Sequence, residues 1–282
     1  MKTKINLEDI PKYISWPARL LGMEAFPIRT RNTEQVMREY DREKWGSVLD
    51  LLKKQQSFTD SDLLRLQGID WKEESVFMIH GEYFIAPAHE VMKLYEEILL
   101  NTIKSENPET LIELGCGLGD KLLFLAKKLN PKIVKGGEFT ESGVECGRIL
   151  AKRNAISAHF QHFDYNNEET LNGIDEGAII YTSHSIEQIP FLKKEFIEGL
   201  IKIKPKKVIH FEPCYEDQDS TTVTGLMRKK YMEINDYNRN LVGLLMGFQT
   251  NSKIEIIDHQ KNIFSDTPFN PTSVITWKPI II

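Results

Sequence analysis

Cysteine is scarce in this chain. Its three cysteines, Cys116, Cys146 and Cys214, show no C-x-x-C spacing, which argues against both a disulfide framework and a zinc site and for a reducing compartment. Long apolar runs are absent as well. No stretch approaches the roughly 18 residues that a membrane span needs, and the first residues carry no apolar signal core. Positive charge is also in short supply, with 36 Lys and Arg against 41 Asp and Glu and a net charge of −5 over 282 residues. That balance gives no reason to expect nucleic-acid binding. Internal repeats and low-complexity tracts are missing too. The expectation is a cytoplasmic protein with no membrane and no nucleic-acid partner. Its 41% hydrophobic content is enough for a full α/β core.

What is present centres on Thr110 to Asp120. A short apolar run ends in Glu113 and Leu114. Gly115, Gly117 and Gly119 follow at alternate positions, with Cys116 between the first two and Asp120 after the last. Helical spacing of Leu122, Leu123, Leu125, Ala126 and Leu129 then begins. The order is strand, glycine turn, helix, which brings backbone close to a ligand at a helix N-terminus. A dinucleotide fold usually spaces its glycines G-x-G-x-x-G for a pyrophosphate. Two carboxylates beside the loop suit a cationic ligand instead.

This pattern resembles the first motif of class I S-adenosylmethionine-dependent methyltransferases. The resemblance covers roughly residues 108 to 280. It implies S-adenosylmethionine as cofactor, S-adenosylhomocysteine as product, and a seven-stranded mixed Rossmann-like α/β sheet with helices on both faces and an antiparallel terminal hairpin. The rest of the chain follows that plan. Strands are expected at 133–139, 159–165, 177–183 and 207–211, alternating with helices at 141–154 and 191–203. A helical insertion spans about 220–248. Two closing strands, 253–263 and 273–278, lack a helix between them and should pair at one sheet edge.

Residues 1–107 read as a helical extension or lid. Residues 33–54 are helix-periodic, Thr59 opens a short helix, 77–87 is a hairpin or extended loop around Gly81, and 87–103 is a helix. The aromatics Trp45, Trp71, Tyr83 and Phe84 either cover the cofactor or form plain core. Apolar residues here either mediate a homodimer or pack inward.

Ligands of open α/β sheets bind at the carboxyl ends of strands. Glu138 ends the second strand, where a carboxylate can hold both ribose hydroxyls, and Phe139 would lie beside the adenine. By resemblance, Asp164 receives the adenine amino group with Phe163 as neighbour. The fourth strand ends at Ser183, His184 and Glu187, facing the transferred methyl group. His184 is the candidate general base for a hydroxyl acceptor, with Glu187 orienting it and Glu212 on the acceptor side. His210 is either core or catalytic. Tyr231, Tyr237, Asn238 and Arg239 in the insertion are candidates to hold the acceptor. No metal is expected, since the motif of metal-dependent catechol-type enzymes is not seen.

The expected activity is methylation of a small polar metabolite, sugar-like, anionic or a natural product, at oxygen. RNA or protein methylation, nicotinamide-dependent oxidoreduction, and a non-catalytic cofactor-binding subunit are the rivals. The first loses ground because Ser183 to Ile186 stands where amino-group nucleic-acid enzymes carry an Asn/Asp-Pro-Pro-aromatic tetrad.

Overall fold

A computed structural model of the chain describes residues 2–25, 27–54 and 73–281. The expected helix at Thr59 and the side chain of Trp71 lie outside the described residues. Five parallel strands form the heart of the sheet: β4 (Thr110–Leu114), β5 (Ile133–Glu138), β6 (His159–His162), β7 (Ile179–Ser183) and β8 (Lys207–Pro213). The closing strands β9 (Ile254–Ser265) and β10 (Thr272–Pro279) pair antiparallel, with β10 beside β8.

The sheet has ten strands rather than seven. Its order is β1-β3-β2-β9-β10-β8-β7-β4-β5-β6. The additions come from the amino-terminal segment: β1 (Thr3–Ile5), β2 (Glu74–Ile79) and β3 (Glu82–Pro87). Hairpin β2–β3 turns at His80 and Gly81, both in left-handed conformation, and docks on β9 through Met78–Ser265 and Ile79–Phe264. The terminal hairpin is therefore not at an edge, and the segment before residue 107 is not purely helical. Val76, Met78, Tyr83 and Ile85 alternate along the hairpin and are buried with Ile10, Tyr231, Met232 and Phe269. That apolar alternation favours strand over loop.

Helices cover both faces. Adjacent β4 residues face opposite ways. Leu111 packs with α3 (Ala88–Lys104), α4 (Asp120–Leu129) and α5 (Glu141–Arg153). Ile112 packs with α6 (Lys194–Ile203) and α8 (Leu241–Thr250). The insertion is two helices, α7 (Val223–Ile234) and α8, broken between them at Asn235 to Asn240. Two shorter pieces precede the sheet core. Helix α1 is Trp16–Leu20, and α2 runs without a break over 33–54, with a π-helical middle from Met37 to Trp45. Gly46 ends that wide turn where a Cβ would lie 2.7 Å from the Asp41 carbonyl oxygen. No described helix is long and apolar enough to cross a membrane.

Candidate active site

The turn after β4 is built by packing as much as by glycine flexibility. Gly115 has φ +74°, and a Cβ there would lie 2.3 Å from the Ser185 Cβ. The Gly115 and Cys116 amides both donate to the Gly137 carbonyl, at 2.8 and 3.0 Å. This ties the loop to the end of β5, where Glu138 stands. The buried Glu138 carboxylate accepts from the Gly117 amide at 2.9 Å and from the Thr140 amide and hydroxyl at 3.0 and 2.7 Å. Burial raises its pKa, and those donors oppose the rise. Glu113 is buried too and accepts from the Tyr181 hydroxyl at 2.8 Å. Burial pushes its pKa to about 8, against the pull of Lys121 and the Tyr181 hydrogen bond.

One cavity of about 750 Å³ joins these groups. On its β4–β6 side lie Glu113, Gly115, Cys116, Gly117, Asp120, Glu138, Phe139 and Asp164. Ser183, His184 and Glu187 line its middle, and Tyr231 and Tyr237 its far wall. The three strand-end carboxylates Glu113, Glu138 and Asp164 thus share one space. Asp164 closes its own turn by accepting from the Asn166 amide at 2.8 Å. Ser183 shares a hydrogen bond with the Tyr95 hydroxyl at 2.8 Å.

Other candidates lie elsewhere. Phe163 is 1% exposed and packs beneath the sheet against Tyr165 and Phe196, so it is core and not an adenine neighbour. Gly119 opens α4 with φ +76°, and a Cβ there would stand 2.4 Å from the Phe160 ring; it serves packing and does not line this cavity. Glu212 is fully buried. Its Oε1 accepts from the Ser185 and Ile186 amides, each at 3.1 Å, and its Oε2 from the Glu187 amide at 3.3 Å. It holds the loop after β7 rather than meeting an acceptor.

Asn238 is buried, donating to the Ile189 carbonyl and accepting from the Asn240 and Leu241 amides. Arg239 pairs with Asp236 at 2.8 Å and lies over Phe191. Neither lines the cavity, because the break between α7 and α8 uses both to fix its own geometry. His210 is core. Burial lowers its pKa to about 3, and its Nε2 accepts from the Trp277 indole at 2.9 Å.

His184 lines the cavity but does not suit a general base. Its Nδ1 meets Glu187 Oε2 at 3.2 Å and its Nε2 meets Thr272 Oγ1 at 2.7 Å. Burial lowers its pKa, but the charge and hydrogen bond of Glu187, with Asp266 and Glu212 beyond, carry it up to about 9. Near neutral pH the ring is an imidazolium with both nitrogens donating. Glu187 in turn accepts from Asn270 at 3.0 Å and Gln188 at 2.8 Å.

Several cavity residues escaped the sequence. Tyr40 comes from the π-helical turn of α2, where helical spacing reads it as a plain apolar position. Trp45, one of the aromatics for which cover and core were both open, comes from the same turn and lines the cavity. Trp45 stands over the glycine loop, 3.2 Å from where a Gly117 Cβ would be. Tyr83 and Phe84, by contrast, do not line the cavity. Arg31 reaches it from the irregular stretch before α2, and Asp266, Thr267 and Asn270 from the β9–β10 connection. Among the described residues no cluster of His, Cys, Asp and Glu is grouped to hold a metal ion.

No protein-family model and no curated protein sequence matches the chain. Solved structures do. The magnesium protoporphyrin IX methyltransferase of Synechocystis PCC 6803, solved with bound SAH, superposes with a TM-score of 0.52 at 10% identity. The match covers 87% of this chain and 99% of that one. The fold is that of the class I methyltransferases. The geranyl diphosphate C-methyltransferase of Streptomyces coelicolor A3(2) matches at TM-score 0.48 and 12% identity, over 68% of this chain and 82% of its own. A plantazolicin methyltransferase gives 0.48 and 12%, over 83% of this chain and 98% of its own.

Proposed function

We propose that this chain transfers a methyl group from S-adenosylmethionine to oxygen of a small polar acceptor. One observation carries the reading: Glu113, Glu138 and Asp164, at the ends of β4, β5 and just past β6, open into one cavity with the glycine loop. The donor set fits the cofactor. Carboxylates accept from an ammonium, ribose hydroxyls and an adenine amine, and Glu113, whose pKa burial raises, is a carboxyl that a bound cation would ionise. When bound, the cofactor supplies a methyl carbon already activated by its sulfonium.

The chain's own work is alignment and proton removal. Glu138 and Asp164 hold the nucleoside, and Trp45 covers the loop from the outside. The proton acceptor in this reading is Asp266. It lines the cavity with an exposed carboxylate, and among the described residues it has no hydrogen-bond or ion-pair partner. Its charge acts on His184, Tyr95, Tyr231 and Lys121, so it stands between the two halves of the cavity. His184, kept cationic by Glu187, holds the loop after β7 in place. It also offers a positive charge beside the departing proton.

The test is a melting series with S-adenosylmethionine, S-adenosylhomocysteine, NAD and NADP. A ligand that binds only the native state adds about 2.7 kcal/mol at a hundredfold excess over its Kd. A rise with the two sulfur nucleosides alone supports the reading. A rise with the nicotinamide cofactors alone replaces it with an oxidoreductase.

A further inference from the structure

The wall of the cavity contributed by the amino-terminal segment carries more positive charge than its own carboxylates answer. Arg29, Arg31 and Lys44 converge on a single carboxylate, Glu39, at 3.7, 3.0 and 3.0 Å. Among the described residues Glu39 is the only acid within ion-pair distance of any of them. Neighbouring acids are committed elsewhere. Asp236 pairs with Arg239 at 2.8 Å, and Glu187 pairs with His184 at 3.2 Å. Glu39 stays ionised: burial opposes this, but Lys44, Arg31 and Arg29 lower its pKa.

Arg31 is the member built into the wall. Its side chain is only 2% exposed, and both it and Lys44 line the cavity. Three anchors fix it: NH1 donates to Glu39 at 3.0 Å, Nε to the Asn235 carbonyl at 3.2 Å, and its backbone amide to Asp236 at 2.8 Å. The guanidinium lies over the Tyr237 ring at 5.4 Å. A guanidinium has five N–H donors, and these bonds use two. Three N–H donors remain for a ligand, and the cavity that Arg31 lines is the place for it, where Tyr40, Tyr231 and Tyr237 add aromatic surface and hydroxyls.

Resting on the methyltransferase reading above, we propose that the acceptor carries a carboxylate, which docks on Arg31 with Lys44 beside it, against the Tyr40, Tyr231 and Tyr237 walls. The acceptor class is a small aromatic or otherwise flat acid. Arg31 is then a specificity-determining residue, contributed by a segment outside the methyltransferase core. The same cations could instead hold the carboxylate of the cofactor's own methionine, and the experiment separates the two.

Benzoate and its neutral isostere benzamide are titrated calorimetrically into the full chain, with and without saturating S-adenosylhomocysteine. Benzoate should bind at least ~10-fold more tightly than benzamide, about 1.4 kcal/mol. Arg31→Met should abolish the preference and leave S-adenosylhomocysteine affinity within about twofold. Lys44→Met, at a partly exposed position, should reduce the preference several-fold and keeps the test open if the Arg31 variant fails to fold. Equal binding of the two probes, or no binding of benzoate, overturns the proposal. So does a preference that survives both substitutions, or a loss of S-adenosylhomocysteine affinity with the preference intact. A wild-type chain that binds no S-adenosylhomocysteine sinks the cofactor reading instead, and the benzoate preference of the chain alone still decides the anion site.

Discussion

His184 points Nδ1 at Glu187 Oε2, 3.2 Å away, and Nε2 at Thr272 Oγ1, 2.7 Å away, so its imidazole is a clasp between the β7 loop and β10. A doubly bonded ring with a pKa near 9 has no lone pair for a substrate proton at neutral pH. Removing it takes the cation from the buried Glu187 carboxylate and leaves it only the Asn270 and Gln188 amides, so His184→Ala should cost on the order of 3 kcal/mol at pH 7. The folded-state pKa lies above the ordinary value, so the contribution is fully present below about pH 6.5 and is lost as pH rises through about 9. Denaturant melts of wild type and His184→Gln across that range should converge at the alkaline end. The turnover profile should show no limb near pH 6.5.

Glu113 titrates in the opposite sense for ligand binding. Burial holds its pKa at about 8, so below that pH a cationic ligand must first expel a proton. Affinity for S-adenosylhomocysteine, whose amino-acid ammonium is positive, should climb by up to tenfold per pH unit from pH 6 to 8 and then level off. Glu113→Gln should bind more weakly at pH 8 and show a flat profile. Calorimetry in buffers of different ionisation heat would count the released proton directly.

Much of this was legible in the sequence because the β4–α4 turn shows two local signals, an apolar strand and glycines at alternate positions, before any of the packing around them is known. The strand ends followed from alternation, which is why Glu113, Glu138 and Asp164 could be named together. Failures came where neighbours decide. Phe163 and Gly119 sit one position away from cavity residues, and only the pleat and the packing of Phe160 tell which side each takes. Arg31 and Asp266 lie in irregular stretches with no periodicity to read. The hairpin 74–87 joined the sheet because β9 offered an unpaired edge, a fact about a strand more than 180 residues further on.

Two glycines with nearly the same φ should separate strain from crowding. Gly22 has φ +73° and open space where a Cβ would go, whereas Gly115 has φ +74° with the Ser185 Cβ 2.3 Å from that point. Gly22→Ala should cost about 1 kcal/mol, the left-handed penalty alone. Gly115→Ala adds a clash with the loop after β7 and should cost about 3 kcal/mol or more. Urea midpoints would show the difference, and the Gly115 variant should also lose nucleoside binding.

Asp266 gives the sharpest test of the chemistry. A proton acceptor must reach the acceptor hydroxyl and must not be occupied already. Glu187 is engaged by His184, Asn270 and Gln188, and Glu212 by three backbone amides. The tyrosines Tyr40, Tyr231 and Tyr237 are held protonated, since burial and the Glu187 charge raise each pKa. Asp266 is the cavity carboxylate left without a partner among the described residues of the acceptor side. Asp266→Asn keeps its size and removes its basicity, so methyl transfer should fall by about 10²–10⁴-fold, the usual worth of a general base. Stability should change by no more than about 0.5 kcal/mol, since the side chain is exposed. S-adenosylhomocysteine affinity should hold within about threefold, because that ligand is gripped from the β4–β6 side. Full turnover in Asp266→Asn would leave the hydroxyl proton to solvent and reduce Asp266 to a surface charge at the rim.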